Sequence, residues 1–515
     1  MAESPSSRLP AAWIACEPGA VGSRARSVIG WRGDRIERVD SAAAFPSTGT
    51  EVDVGDLHTD HRLIVPSLAN AHDHARTFRS STLGGWGLPL EAWLPLLSLL
   101  PGVDPYLVAA SSLARSVRNG ATAVMVHYTR SQGTVDPVEE ALAVARAARD
   151  LGIRIGFAVS LRDRQPLGYC DDASVLASLR PGIRDSIVRR LAAPALDLAT
   201  QLGRVRDIAA AIESDPSLAS HVTVQWGPTA VQWCSHELLE AVANASVLDQ
   251  RPVHMHLLET RYQRDWADHH YPQGMVRYLD SIGLLSPRLT LAHCTWARAD
   301  ELELLALRGV TIAVNTSSNL HLRSGLAPLA AMREAGCRIA MGLDGLAFDE
   351  DDDGLREMRL AAALHRGSGF DSIWDDASVW RFASANGRRS VLGTVADEAL
   401  PGGRLAPGCA ADLMVLDLRR VDEDFGLIPG LDPTAPLMAR ASSACIRAVI
   451  AGGRVVVRNG KAVGVDEPAI RQELSARTRA AIEADRGWRE WRDTLTDFAE
   501  DLGPFYRSRR FLDCC

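Results

Sequence analysis

Lysine is almost absent from this sequence: of the 56 basic residues, all but Lys461 are arginine. Cysteine is sparse too, because the 515 residues include nine cysteines and none of them stands in a CxxC pair. An odd number of scattered cysteines argues against a disulfide framework and favours free thiols in a reducing cytoplasm. No apolar run reaches the length of a transmembrane helix, and the N-terminus lacks the basic and apolar regions of a signal peptide.

Other absences exclude whole classes of protein. The net charge of -8 disfavours binding to nucleic acid. There is no GxxxxGK[ST] phosphate loop, and HELLE at residues 236–240 lacks the final histidine of an HExxH zinc site. No H-x-E with P-C-x-x-C occurs, which excludes the cytidine-deaminase type of zinc site. What remains is ordinary globular composition, long enough for one large domain and a smaller one.

The order of predicted elements indicates a barrel with a second, β-rich domain. Short strands separated by turns are predicted over residues 10–66. From there to about residue 400, apolar runs such as ATAVMVHY alternate with amphipathic stretches such as DPVEEALAVARAARDLG, which predicts a closed (β/α)₈ TIM barrel. Strand-like segments then return. We expect a composite β-sandwich of residues 8–65 and 403–466 built from both chain ends, a barrel of residues 66–402, and a helical tail of residues 467–515.

The strongest local signal is the pair His72 and His74, directly after the apolar run LIVPSLANA. Alternation along a strand puts these two imidazoles on one face. Neutral imidazole is the commonest metal ligand in proteins, so the pair can hold a metal at a strand end. Two surface histidines in a loop would give the same pattern, so the pair alone leaves both interpretations open.

Three later segments carry similar side chains at predicted strand ends. VHMHLLET contains His254, His256 and Glu259, LAHC ends on a strand at His293, and IAMGLDG places Asp344 before a glycine. Each segment alone also fits an ordinary core strand. Because the C-terminal ends of barrel strands converge on one site, the segments together predict a metal centre.

These segments resemble the amidohydrolase superfamily, and most of all its branch with cytosine deaminase, guanine deaminase, S-adenosylhomocysteine deaminase and triazine hydrolases such as atrazine chlorohydrolase. LIVPSLANAHDH is similar to the strand-1 motif PGLVNAHTH, HMHLLET to the strand-5 His-x-x-Glu, and GLDG to the strand-8 GTDG. LAHC resembles strand 6, and NTSSNLHLRSGLAPL resembles PxSNxxLxxGxxP. The segments GRLAPGCAADLMVLD and VIAGGRVVVRNGK are similar to the sandwich that follows the barrel, so the resemblance covers about residues 60–465.

The resemblance implies one divalent metal, zinc or alternatively iron, with four ligands: His72, His74, His256 and Asp344. It implies that Glu259 is a proton shuttle and that His293 contacts the hydrolytic water or the substrate. It does not extend to His254, because the family's ligand is the second histidine of that strand. Binuclear relatives bridge their metals with a carboxylated lysine, and Lys461 lies outside the predicted barrel, so we expect a single metal.

Six further residues at or after strand ends are candidate substrate contacts: His127, Gln225, Thr229, Gln232, Trp233 and Asn319. Thr229 stands where many relatives carry a histidine. A structural role fits His127 equally well, and Asn319 is also expected to fix its own loop.

The expected reaction is hydrolytic removal of an amino or substituted-amino group from a planar nitrogen heterocycle. Three alternatives stay open: hydrolysis of an amide, urea or carbamate C–N bond, dechlorination of a chlorinated heterocycle, and a catalytically silent binding protein of the same fold. The expected partner is a small-molecule substrate, with no nucleic acid and no membrane. A homodimer in the cytoplasm is expected.

Overall fold

A computed structural model describes residues 6–46, 48–164, 167–191, 196–345, 350–393, 402–424, 428, 432 and 434–512. Its strands are β1 (Ser6–Ile14), β2 (Arg24–Arg32), β3 (Arg35–Ser41), β4 (Thr50–Glu51), β5 (Arg62–Pro66), β6 (Leu68–Asn70), β7 (Ala121–Tyr128), β8 (Arg154–Leu161), β9 (Val222–Pro228), β10 (Val253–Leu257), β11 (Leu289–His293), β12 (Thr311–Val314), β13 (Arg338–Met341), β14 (Gly367–Ser368), β15 (Asp371–Ser372), β16 (Leu413–Asp417), β17 (Ile446–Ala451), β18 (Arg454–Arg458) and β19 (Lys461–Ala462).

The α-helices of the same residues are α1 (Leu90–Trp93), α2 (Pro105–Arg118), α3 (Pro137–Leu151), α4 (Asp172–Ala177), α5 (Pro181–Leu191), α6 (Leu198–Glu213), α7 (Pro216–Ala219), α8 (His236–Asp249), α9 (Arg261–His270), α10 (Met275–Ser281), α11 (Ala299–Leu307), α12 (Thr316–His321), α13 (Leu329–Glu334), α14 (Gly354–His365), α15 (Asp376–Arg381), α16 (Gly387–Leu392), α17 (Leu418–Val421), α18 (Leu437–Arg440), α19 (Glu467–Ala484) and α20 (Trp488–Arg507). None of these helices combines the length and apolar character needed to cross a bilayer.

Eight parallel strands, β6 to β13 in chain order, form the barrel. Each strand pairs with the next one in the chain, and helices connect them. The circle closes where the Ala71 amide donates to the Met341 carbonyl and the Asp344 amide donates to the His72 carbonyl. Residues of β7 and β10 are almost all buried, as expected for parallel strands covered on both faces. The predicted (β/α)₈ barrel is confirmed.

A second sheet joins the two chain ends, as the sequence predicts. Its strand order is β19-β18-β17-β16-β5-β1-β2-β3, with β4 beside β1. Alternation along β5 divides its side chains between two cores. Ile64 packs into the sheet's own core, whereas Leu63 and Val65 pack into the core of the barrel. The chain-end β domain is therefore attached to the barrel by one face of its sheet.

The chain passes from the second sheet to the barrel within one residue, because only Ser67 separates β5 from β6. The Ser67 hydroxyl lies 2.7 Å from the hydroxyl of Thr122 on β7. Buried Arg388 of α16 also binds the buried carboxylate of Asp412, just before β16. The domain limits drawn from the sequence stay a prediction.

Local sequence explains where the outer helices begin and end. Asp136 accepts a hydrogen bond from the Val138 amide, and Pro137 occupies the first turn of α3. The helix ends at Gly152, whose φ of 72° is the left-handed conformation that glycine adopts without strain. Such short, capped connections hold the barrel strands, and therefore their C-terminal ends, in fixed positions.

Candidate active site

Three strand ends, those of β6, β10 and β13, bring the predicted metal ligands together at one end of the barrel. The ligand nitrogens of His72, His74 and His256 all lie within 4.8 Å of one another. Asp344 Oδ1 lies 3.0 Å from His74 Nε2 and 3.3 Å from His72 Nε2. The side chains come from three regions far apart in the chain, and the closure of the barrel makes them neighbours.

Hydrogen bonds to main-chain carbonyls set the protonation of two of these rings. His74 Nδ1 lies 2.8 Å from the carbonyl of His127, and His256 Nδ1 lies 2.7 Å from the carbonyl of Thr229. A carbonyl only accepts, so in the neutral rings each Nδ1 carries the hydrogen and each Nε2 presents a lone pair. The two Nε2 atoms face each other at 3.4 Å. Two lone pairs at that distance fit a cation between them.

His72 is the third ring with a nitrogen placed to bind a metal. His72 Nε2 is buried, and the polar atom that it faces is Asp344 Oδ1, at 3.3 Å. Burial lowers the pKa of His72 and His256 well below the ordinary value, so both rings are neutral, which is the form that binds a metal. Three imidazoles and one carboxylate are a donor set suited to zinc or iron.

His254 supports this set although the resemblance gives it no role. Its Nε2 lies 2.7 Å from His72 Nδ1, and both rings are fully buried. If His72 Nδ1 donates to His254, the Nε2 atom of His72 is left free to face the other ligands. A second imidazole therefore orients the first ligand, as carbonyls orient the other two.

The backbone is strained where these side chains leave their strands. Leu258, His293 and Asp344 have φ angles of 49°, 77° and 53°, in the left-handed region that residues with a Cβ rarely adopt. Such conformations cost free energy and persist only where the surrounding structure holds them, often at functional sites. Here they turn the chain sharply at the strand ends.

Asp344 and Glu259 are neighbouring carboxyl groups whose pKa values move in opposite directions. Burial alone would raise the pKa of Asp344, but hydrogen bonds with His72 and His74 hold it well below its usual range. Burial raises the pKa of Glu259 well above its usual range, and the charge of Asp344 adds to this rise. The pKa values of the two carboxyl groups are thus moved apart, which is a common arrangement for a base and an acid that share proton transfers.

His293 lies beside the acid. Its Nε2 is 3.6 Å from Glu259 Oε2 and has no hydrogen-bond partner among the described residues. Its other ring nitrogen, Nδ1, lies 3.0 Å from Asn319 Oδ1, which fixes the ring. Ser324 reaches Glu259 from the other side, with its Oγ 3.4 Å from Oε1. The free Nε2 is available to a water or a substrate atom.

A cavity of about 300 Å³ adjoins these groups. Its polar end contains His74, His256, Glu259, His293 and Asp344. Most of the remaining wall is apolar and aromatic, from the segment of residues 90–98 together with Leu167, Tyr169, Leu191, Trp233, Leu322 and Tyr506. The volume is at the lower end of the roughly 300–1,000 Å³ of ligand pockets, which suits a planar ring with a substituent.

Two of the six candidate substrate contacts, Thr229 and Trp233, line this cavity. The other four are not among the described residues that line it, and their contact with a substrate stays a prediction. Gln225 donates to the carbonyls of Ser390 and Val391 inside the barrel, since its amide needs buried partners. The remaining three are likewise not among the described residues that line the cavity. The carbonyl of His127 contacts His74 Nδ1, Asn319 Oδ1 contacts His293 Nδ1, and Gln232 is buried.

Several residues that line or adjoin the cavity were not predicted from the sequence. Glu91 is a buried carboxyl group on α1, and its Oε1 accepts hydrogen bonds from the hydroxyls of Tyr169 and Thr260. Burial raises its pKa. Arg76 stacks on Trp93 at 4.7 Å and approaches Asp344. A charged residue within the apolar run LPLEAWLPLLSLL was a usable signal for Glu91; no comparable signal marks Tyr169.

A family model described as "Amidohydrolase family" matches residues 63–456 of the sequence, a segment that contains the four predicted metal ligands, Glu259 and His293. The chain belongs to the amidohydrolase family. The predicted resemblance is confirmed, and with it the expectation of a hydrolase that acts on C–N bonds other than peptide bonds.

Curated relatives of this amidohydrolase are deaminases. A 5'-deoxyadenosine deaminase from Methanothermobacter thermautotrophicus is 28% identical over 421 residues, which cover 81% of this chain and 86% of the relative. A 5-methylthioadenosine/S-adenosylhomocysteine deaminase from Nitratidesulfovibrio vulgaris is 31% identical over 427 residues, or 81% of this chain and 85% of the relative.

Solved structures share the fold of this amidohydrolase. An adenosine deaminase from Xanthomonas campestris with bound zinc has a TM-score of 0.71 at 22% identity, covering 94% of this chain and 99% of its own. A mutant atrazine chlorohydrolase from Arthrobacter aurescens, complexed with zinc and atraton, has a TM-score of 0.73 at 23% identity, covering 92% and 100%. Both structures contain zinc, which supports the predicted divalent metal.

Proposed function

We propose that this amidohydrolase removes the exocyclic amino group of an adenine-type nucleoside by hydrolysis. The observation that carries the proposal is the pair of Asp344 and Glu259, two carboxyl groups that line one end of a single cavity beside His74, His256 and His293 and whose pKa values are moved in opposite directions. The deaminase names of the relatives support the choice of an aminated purine.

His72, His74, His256 and Asp344 would hold one divalent metal, which we propose to be zinc. The facing Nε2 atoms of His74 and His256 support this assignment, and so does the contact of both His72 Nε2 and His74 Nε2 with Asp344 Oδ1. When bound, such a metal acts as a Lewis acid and lowers the pKa of water toward neutrality. The sequence contains no lysine other than exposed Lys461 on β19, so a bridging carboxylated lysine cannot form in the barrel.

The residues around the ligands then divide the proton transfers. Asp344 accepts the proton of the attacking water as the oxygen bonds to the ring carbon that bears the amino group. Glu259 donates its proton to the adjacent ring nitrogen, so that no anion builds up on the ring. His293 Nε2 hydrogen-bonds the new oxygen. Asp344 then gives the proton that it took from water to the exocyclic nitrogen, the bond from carbon to that nitrogen breaks, and ammonia leaves. The new oxygen becomes a carbonyl as its remaining proton passes to Glu259, which restores both carboxyl groups.

Glu91 supports a nucleoside rather than a bare heterocycle. The two hydroxyl donors of Tyr169 and Thr260 both reach Oε1, and no side chain in the described part of the chain donates to Oε2. Because Glu91 lines the cavity, Oε2 is an acceptor that a sugar hydroxyl can use. The apolar wall of Leu90, Trp93 and Leu97 gives the base or a thioether substituent a dry surface.

An ammonia-release assay with the zinc-loaded protein tests the proposal. Adenosine, 5'-deoxyadenosine and S-adenosylhomocysteine are the probes, with cytosine and melamine as heterocycles that lack a sugar. We expect ammonia from at least one nucleoside. Release of ammonia only from simple amides or ureas, or of chloride from atrazine, would replace the proposal with one of the two alternative hydrolytic reactions.

Two further expectations stay predictions. All seven cysteines in the described residues are free thiols, which supports a reducing compartment such as the cytoplasm. The expected homodimer is tested by light scattering of the purified protein, which would give a mass of twice 55.6 kDa.

A further inference from the structure

The C-terminal helix α20 lies outside the segment that the family model matches, which ends at residue 456. The helix nevertheless has a strongly amphipathic pattern, and its buried side chains are Trp491, Leu495, Phe498, Leu502, Phe505 and Tyr506. It packs against α1, against the 3₁₀ turn of residues 94–99 and against α5. All three of these segments contribute residues to the substrate cavity.

Hydrogen bonds fasten the helix to that part of the wall. The indole of Trp488 donates to the carbonyl of Leu99 at 2.8 Å, and the indole of Trp491 donates to Ser98 Oγ at 3.1 Å. Ser98 itself lines the cavity. Arg180, just before α5, pairs with Asp501 at 2.9 Å on the outer face. The helix is therefore joined to the wall rather than lying loosely over it.

Tyr506, near the end of α20, reaches the cavity directly and is fully buried. Its ring lies 5.5 Å from the ring of Tyr169 and 4.9 Å from that of Tyr262. A Cβ at Gly168 would lie 3.3 Å from the Tyr506 hydroxyl oxygen, so the hydroxyl rests against the loop before α4. Burial raises the pKa of Tyr506 well above its ordinary value, and the nearby Glu91 carboxyl adds to the rise.

The contacts place Tyr506 away from the reacting atoms. Glu259 is followed by Thr260, whose hydroxyl binds Glu91; Glu91 binds the hydroxyl of Tyr169, whose ring meets Tyr506. In this series of contacts Thr260, Glu91 and Tyr169 stand between Glu259 and Tyr506. If the aminated ring lies beside Glu259, the wall that contains Glu91 and Tyr506 is a part of the cavity left for its substituent.

We propose that Tyr506 is a specificity-determining residue, and that α20 closes the cavity on the substituent side and limits the size of the group attached to the aminated ring. The inference rests on the proposed function for the nature of that substituent. Four aromatic rings surround the Tyr506 ring, and its movement would cost free energy because buried rings are close-packed.

The test compares kcat/KM for adenosine, with a small 5' group, and for S-adenosylhomocysteine, with a long one. Replacing the ring in Tyr506→Ala should raise the ratio of the long to the short substrate by ~10-fold or more, as for other changes of pocket volume. Tyr506→Phe keeps the ring and should leave the ratio near that of the wild type. Phe498→Leu is the matched control, because it changes a buried ring of the same helix that does not line the cavity.

The outcomes separate the two proposals. Wild-type protein that deaminates neither nucleoside contradicts the proposed substrate class. The size comparison is then made with melamine and its N-alkylated derivatives, on which Tyr506→Ala must again favour the larger member. An unchanged ratio in Tyr506→Ala, with a folded protein and an active wild type, overturns the inference, and so does an equal change in Phe498→Leu.

Discussion

His254 Nε2 lies 2.7 Å from His72 Nδ1 inside the barrel, and no water can enter between the two rings. The contact determines which nitrogen of His72 is free to bind a metal, because the hydrogen of a neutral imidazole occupies one nitrogen at a time. His74 and His256 have main-chain carbonyls in the same role. His254 is thus a positioning residue for the first ligand.

Replacing His254 should weaken metal binding without removing a ligand. In His254→Phe, His72 loses the partner of its Nδ1 atom, and we expect the affinity for Zn²⁺ to fall by roughly 10–100-fold. Competition with a chromophoric chelator measures the affinity. The matched control is His221→Phe. His221 likewise makes one hydrogen bond through a ring nitrogen, but its partner is the carbonyl of Ile153 and it lies away from the ligands. Equal affinities in wild type and His254→Phe would show that the contact has no role in binding.

Replacing Glu259 should remove proton donation while leaving the metal bound. Its pKa is raised by burial, so the side chain is protonated at low pH and loses its proton as the pH rises through that raised pKa. We therefore expect the kcat/KM of the wild type to fall on the alkaline side. Glu259→Gln should lower turnover by roughly 10²–10⁴-fold at every pH and lose this alkaline decline. Metal analysis checks that the variant keeps its metal, and a pH profile of kcat/KM checks the loss of turnover and of the alkaline decline. Wild-type turnover in the variant would exclude Glu259 as the acid.

Ser318 should matter for Asp344, whereas its neighbour Ser317 should not. The Ser318 hydroxyl donates to Asp344 Oδ2 at 2.6 Å, which leaves Oδ1 to face the imidazoles. Ser317 lies in the same helix, equally buried, and its hydroxyl has no partner in the described residues. Ser318→Ala is expected to lower kcat by about 10-fold, in line with other groups that orient a ligand. A similar loss in Ser317→Ala would point to general disturbance of α12.

The buried pair of Arg388 and Asp412 should stabilise the join between barrel and β domain. Both side chains are almost fully buried, and Arg154 lies 3.5 Å from the same carboxylate. Removing one partner leaves a buried charge, so Arg388→Met should lower the free energy of unfolding by about 3–5 kcal/mol. The exposed Arg419 pairs with Asp417, and Arg419→Met should cost about 0–1 kcal/mol. Urea unfolding compares the two; equal losses would contradict this account.

The sequence predicted the barrel and the convergence of the ligand side chains, because strand alternation and barrel closure are regular. His72 and His74 share a face by their spacing alone, and the C-terminal ends of parallel strands must meet. The residues that support these ligands were harder to predict from the sequence. His254 faces the ligands from the same strand as His256, and nothing in the spacing distinguishes a ligand from its support.

The substrate wall could not be predicted, since loops and helices distant in the chain build it. Glu91, Tyr169 and Tyr506 come from three separate segments, and their meeting depends on packing that no local pattern encodes. Gln225 differs from these residues, because its place on a strand was predictable and its depth in the barrel was not. Its position on a barrel strand is correct, but it lies deep enough to bind the carbonyls of α16 instead of a substrate.

The most direct test of the account is a zinc titration of metal-free protein, followed by ammonia release from the best nucleoside substrate. With His72, His74, His256 and Asp344 as the only ligand set in use, activity should rise linearly and saturate at one equivalent of zinc per chain. The variant His256→Ala should bind no stoichiometric zinc and release no ammonia. Saturation only at two equivalents, or full ammonia release by His256→Ala, would contradict the single-metal hydrolytic site.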